Sequence, residues 1–277
     1  MSAPSPRRRN RAAALSDRDI AVLRTLDSFR LATGEHVRRL HFTDGSPVTR
    51  ARRCRSVLKR LTDHGHIGRL DRQIGGLHAG SQGFVYSLRG RGSGVLARID
   101  GTEPRRNRGE PGERFVAHVL AITELYVRLS EATTPSDRHE LLSFDPEPTC
   151  WRRYPAPHGG TVVIRPDAFL RIADAEYEDA FFVEQDMATE SLVTLRAKCQ
   201  GYVAYWRSGS EQARSGVFPK VIWIVPNQRR AEGVRQIVGR MAQSERALFA
   251  VATDADALDA LLPIETTPPT MKGGNDS

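Results

Sequence analysis

Apolar residues recur at helical spacing three times within the first 65 residues. In LSDRDIAVLRTLDSFRLAT, Ile20, Leu23 and Leu26 share one face, and Ser16 with Asp19 three residues on reads as an N-terminal capping pair. A second helix is predicted after Thr33, burying Val37 and Leu40 and ending near Phe42. The turn TDGSP launches a third, VTRARRCRSVLKRLTDHG, with Val57, Leu58 and Leu61 inside and Gly65 as its stop. The spacing then shortens to two: strands are predicted at about Ile67–Gln73 and Phe84–Leu88, around a Gly-rich tip. Three short helices followed by such a hairpin make a winged helix, expected over 15–92.

A Gly/Pro/Arg-rich stretch, 93–113, reads as a linker with one short helix around Val95–Ile99. After it, RFVAHVLAITELYVRLSEA is an amphipathic helix with Phe115, Val119, Ile122, Leu125 and Leu129 inside. Strand-like runs follow, HELLSF, TVVIRPDAFLRI and AFFVEQD, then a helix whose buried side holds Leu192, Leu195, Cys199, Tyr202 and Trp206. The apolar strand FPKVIWIVP, a helix from about Gln228, the strand ALFAVAT and the short helix DADALDALL complete the pattern. This order predicts an α/β layered sheet covered on both faces, over 114–262. Residues 1–14 are a basic arm without periodicity, and 263–277 a polar tail; both are expected to be disordered.

Charge sharpens the division. Residues 1–113 hold 23 Lys/Arg against 11 Asp/Glu, whereas 114–277 hold 18 against 22. A basic front half points to a polyanion, double-stranded DNA above all, although a GC-rich genome produces the same arginine bias. The predicted third helix carries Arg50, Arg52, Arg53, Arg55, Lys59 and Arg60, and the wing carries Arg69 and Arg72. These are the candidate DNA contacts, of which about half should face the duplex, since a helix of this length must turn some cations away. No apolar run approaches membrane-spanning length and no apolar segment follows the basic start, so a cytoplasmic protein without membrane contact is expected. Cys54, Cys150 and Cys199 are scattered without metal-ligand spacing.

The candidate chemistry lies between 161 and 205. Metal-assisted phosphodiester cleavage needs carboxylates to hold Mg²⁺ or Mn²⁺, and a cation to steady the developing charge. Asp167 at one strand end and Glu184 near the end of the next can supply the carboxylates. Asp186 has the strand parity of Glu184, Lys198 lies two turns into the following helix, and Glu124 on the preceding helix could add a water-mediated ligand. Each has a plainer reading: Asp167 as a turn residue, Glu184 and Asp186 as a polar strand exit, Lys198 as a snorkelling side chain. What raises the set is a pair of carboxylates directly after the apolar FFV. The chain has no GxxxxGK[ST], and Tyr202 and Tyr205 show no activating partner in sequence, so ATP-driven work and tyrosine-mediated strand transfer are set aside.

The order RPDAFLRI, FFVEQDMATESL, LRAKCQGYVAYW and FPKVIWIVP resembles the replication-relaxation family, which is linked to plasmid replication and DNA relaxation. The segments LSDRDIAVLRTLDSFRLATGEHVRRLHF and HVLAITELYVRL, the latter beginning at His118, resemble its first helices and middle helix. The second half is also similar to the PD-(D/E)xK nucleases, which implies a restriction-endonuclease-like α/β/α domain with Asp167 and Glu184 as the two acids. The pattern departs where Asp186 replaces the lysine two residues after the second acid, and Lys198 would have to take its place. The resemblance implies a nickase of plasmid or mobile-element DNA, with replication or transfer proteins as further partners and a homodimer as one assembly. The rival reading is a non-catalytic DNA-binding regulator or replication accessory with a degenerate nuclease domain.

Overall fold

The computed structural model describes residues 15–70, 83–104, 112–134, 138–156, 159–174 and 177–262. The basic arm, the hairpin tip with Arg72, residues 105–111 of the linker and the tail lie outside the described residues. The chain divides into two compact units, Met1–Glu113 and Arg114–Ser277.

In the first unit the elements are α1 (Asp17–Phe29), β1 (Leu31–Thr33), α2 (Gly34–His41), α3 (Pro47–Asp63), β2 (Ile67–Arg69), β3 (Val85–Leu88) and α4 (Gly90–Asp100). Ser16 caps α1 and Asp19 reaches back to the Ser16 N–H at 2.9 Å, so the capping pair forms as its spacing predicts. Thr33 caps α2 the same way, with its Oγ1 accepting from the His36 N–H. The strands pair antiparallel in the order β1-β3-β2. Strand β1 escapes the periodicity, because three residues carry too little alternation to register. Val22, Leu23, Leu26, Val37, Leu58 and Leu61 form the core, and Leu96 of α4 joins it. The short helix expected around Val95–Ile99 is therefore longer and packed.

The second unit contains α5 (Glu113–Thr133), β4 (Glu140–Pro146), β5 (Arg152–Pro155), β6 (Thr161–Ile164), β7 (Ala168–Ala173), β8 (Glu178–Gln185), α6 (Leu192–Arg207), α7 (Ser210–Ser215), β9 (Lys220–Val225), α8 (Gln228–Gly239), α9 (Gln243–Arg246), β10 (Phe249–Thr253) and α10 (Ala257–Leu261). Its sheet runs β10-β9-β8-β7-β4, with β10, β9 and β8 parallel and β7 and β4 antiparallel to their neighbours. Alternation along β8 sorts the two faces. Phe182 points to α6 and α8, while Phe181 and Val183 point to α5 and α10. The run TVVIRPDAFLRI is two strands: Pro166 offers no N–H to a ladder, and the chain leaves the β5–β6 hairpin for the main sheet across Arg165 and Pro166. Leu192, expected inside α6, is half exposed at its first turn.

Candidate active site

The acids assemble where β8, β9 and β10 end and β7 begins, the end of the sheet at which α6 and α8 start. In α/β sheets with parallel strands this is the side on which ligands collect. Ala168 pairs with Val183, and the Asp167 N–H donates to the Val183 carbonyl at 3.0 Å, so the register sets Asp167 opposite Glu184. The Asp167 carboxylate is fixed from two sides. Its Oδ2 accepts from the Gln185 backbone N–H at 2.8 Å, and its Oδ1 lies 3.1 Å from Nε2 of His118 on α5.

Glu184 is buried, and its carboxylate is held by α6: Tyr202 donates its hydroxyl at 2.6 Å and Lys198 its ammonium at 3.2 Å. Lys198 and Tyr202 are four residues apart on α6, one helical turn, which is why both reach one carboxylate. Lys198 also pairs with Glu190 at 3.1 Å. Burial pushes Glu184 up first, and the negative charge of Asp167 second; Lys198 and Tyr202 oppose them, leaving its pKa at about 7. Lys198 is pulled down by burial, but the charges of Glu184, Asp167 and Glu190 outweigh this and hold it above its usual value. His118 behaves alike: burial lowers it, the bond and charge of Asp167 raise it more, and the net direction is up.

Asp186 keeps the parity expected of it and turns to the α8 side, but its partner there is Arg230. The guanidinium grips both carboxylate oxygens, with Nη2 3.0 Å from Oδ1. The same Nη2 donates to the Glu190 carbonyl at 2.7 Å, and Asp186 Oδ1 accepts the Ala188 N–H at 2.9 Å. Asp186 thus ties the exit of β8 to the first turn of α8. Glu124 is half-buried on α5, six residues beyond His118 and so about 240° around the helix axis from it. Among the described residues, no three His, Cys, Asp or Glu side chains converge as a metal cage. The pair that could hold a divalent ion is Asp167 with Glu184. Two hard carboxylates at facing strand positions, the buried one raised partly by the charge of the other, suit a dication that keeps water and a phosphate as its remaining ligands.

Tyr205 is buried and donates its hydroxyl to the buried Glu211, itself 3.3 Å from Nε of Arg152. It is a core tyrosine with a satisfied hydroxyl, and Tyr202 is another. Sequence reasoning passed over the contributions of His118, Tyr202 and Glu190 to the site. A polar residue one turn from Lys198 was the signal for Tyr202; no local signal marks His118.

The raised Glu184 carboxyl makes stability depend on pH. Between its usual 4.5 and about 7 the folded chain binds the proton more tightly than the unfolded chain, so stability falls as pH rises through that window. In chelator, Glu184→Gln therefore gains stability relative to wild type as pH rises from 5 to 8 in thermal melts. A gap that does not change with pH contradicts this assignment.

In the first unit, α3, the helix of the candidate DNA contacts, buries Cys54, Leu58 and Leu61 and leaves Arg52, Arg53, Arg55 and Lys59 exposed. Lys59 pairs with the exposed Asp63, a pair of small worth that a phosphate can displace. Arg60 points the other way: it donates to the buried Asp19 at 2.6 Å and pins α3 to α1. Burial pushes the Asp19 carboxyl up, and the Arg60 and Ser16 bonds outweigh it, leaving it below its usual value. Arg50 is half-buried, and Arg69 lies 4.0 Å over the Phe84 ring. No helix among the described residues is long and apolar enough to cross a membrane.

No curated protein and no solved structure matches the chain. The family model described as Replication-relaxation matches residues 23–221, a span that starts in α1 and takes in Asp167, Glu184 and Lys198. The chain belongs to the replication-relaxation family.

Proposed function

We propose that the chain is a DNA-binding protein of a plasmid or mobile element that nicks DNA by metal-dependent phosphodiester hydrolysis, relaxing it for replication or transfer. The observation that carries the reading is the meeting of Asp167 before β7, Glu184 of β8 and Lys198 of α6 at one sheet end, with Glu184 buried. A plain surface does not require a buried carboxylate facing a second one. The family supports the setting in replication and relaxation.

In this mechanism Asp167 and Glu184 would hold Mg²⁺ or Mn²⁺, and the ion would supply Lewis-acid polarisation of the phosphodiester. The chain's own groups do the rest. His118 and the Gln185 N–H keep Asp167 aimed, and Tyr202 fixes the Glu184 rotamer. Lys198 is the cation beside the pair, able to donate to a phosphoryl oxygen as negative charge grows there. Asp186 acts through the fold, by joining β8 to α8.

The first unit we read as a winged helix that lays α3 in the major groove, through Arg52, Arg53, Arg55 and Lys59 and with Arg69 beside it. Substituting Arg52, Arg55 and Lys59 together by alanine lowers the slope of log affinity against log salt by about 2.7, roughly 0.9 per lost phosphate contact. Arg60→Ala leaves that slope alone and destabilises the first unit by about 2 to 3 kcal/mol. That is less than the roughly 3 to 5 for a fully buried pair, because Arg60 keeps a third of its side chain in water. Anisotropy titrations and thermal melts of the two variants check both. The catalytic half is tested by conversion of supercoiled plasmid to open circle in Mg²⁺.

A further inference from the structure

The second unit as a whole is acidic, with 18 Lys/Arg against 22 Asp/Glu, and its candidate site is a pair of carboxylates. A nucleic-acid strand cannot settle there without local cations, and several nearby arginines are already engaged. Arg230 is taken by Asp186, and Arg128 by the Asp254 carbonyl at 2.7 Å. Two others are not. Arg153 and Arg165 are exposed, and among the described residues neither has an acidic partner.

Arg153 lies on β5, the strand of the β5–β6 hairpin that sequence patterning missed, and Arg165 at the end of the hairpin. Arg152, Tyr154 and Ile164 turn inward to the core, which sends Arg153 and its pairing partner Val163 outward. Arg165 follows directly after β6, two residues beyond Val163, and so lies diagonally from Arg153, about 7 to 8 Å away across the strands. Its guanidinium sits 5.0 Å over the ring of Trp151. An arginine held over an aromatic face keeps donors of its fork available to a phosphate and loses less freedom on binding one. Only Pro166 separates Arg165 from Asp167, so their Cα atoms lie within about 7 Å.

We propose that Arg153 and Arg165, the latter held over the Trp151 ring, form a second phosphate-binding surface that seats the DNA backbone beside Asp167 and Glu184. The inference rests on the reading of the chain as a DNA-binding protein, and it stands apart from whether the carboxylates cut. Both arginines are positioning residues: they bring the strand to the acids and do not act on the reacting atoms.

The test is binding of a double-stranded oligonucleotide to the full chain by fluorescence anisotropy, across a salt series and in chelator so that no cutting intervenes. Arg153→Ala with Arg165→Ala lowers the salt slope by about 1.8, for two lost phosphate contacts. Arg165→Lys, which keeps the charge, holds the slope near wild type when paired with native Arg153. Both positions are exposed, and unchanged circular dichroism melts confirm that the variants fold. An unchanged slope in the double variant overturns the proposal, as does a wild-type chain that binds no DNA. Plasmid nicking assayed in parallel separates the two readings. A lowered slope without wild-type nicking keeps the hairpin surface and removes the nuclease, and nicking with an unchanged slope does the reverse.

Discussion

Asp167→Ala reduces plasmid nicking on the order of 10³-fold or more while DNA affinity stays at the wild-type level. The size is that of removing a preorganised electrostatic group from a site where charge develops. Affinity is spared because the proposed DNA contacts lie on α3 and on the hairpin, and Asp167 is bound to His118 and to the Gln185 N–H. Lys198→Met gives a comparable loss for a different reason. It removes the cation beside Glu184 and Glu190, and a lone buried carboxylate facing Asp167 then takes up a proton more readily. The two variants differ in pH response: raising the pH restores part of the activity of Lys198→Met and none of that of Asp167→Ala. Nicking rates across pH 6 to 9 distinguish them. If both variants nick like wild type, the chemistry lies elsewhere.

Asp186→Ala destabilises the second unit by about 3 to 5 kcal/mol, the cost of leaving one member of a buried ion pair without the other. Only 2% of the Asp186 side chain and 14% of that of Arg230 are exposed, so water cannot replace the lost partner. The double variant Asp186→Ala with Arg230→Met recovers part of the loss, because no buried charge is then left uncompensated. Denaturant melts of the three chains measure this. A stably folded Asp186→Ala that fails to nick would move Asp186 into the chemistry. Wild-type stability together with wild-type nicking would deny it either role.

How much of this was visible in the sequence depends on the range of each interaction. The Ser16 cap, the apolar faces of α1 and α3, and the strand ends carrying Asp167 and Glu184 all follow from local period, and the structure has them where that period sets them. Lys198 reaching the same site follows from a helix beginning just after β8. The pairs that reassign charged residues are long-range: Asp19 with Arg60 is 41 residues apart, and Asp186 with Arg230 is 44. No spacing rule connects such positions. Arg60 therefore read as one more cation of a basic helix, and Asp186 as a companion of Glu184. Likewise RRYP is too short and too polar to announce a strand, and β5 exists because Arg152 and Tyr154 find Glu211 and Tyr205 in the fold.

The most direct measurement is a nicking assay on supercoiled plasmid carrying the protein's own flanking DNA, with Mg²⁺ or Mn²⁺, comparing wild type and Glu184→Ala. Open-circle product from wild type alone, with both chains shifting the DNA equally on a gel, is the expected result. No product from either chain while both still bind, or equal product from both, contradicts a metal-dependent nuclease built on Asp167 and Glu184.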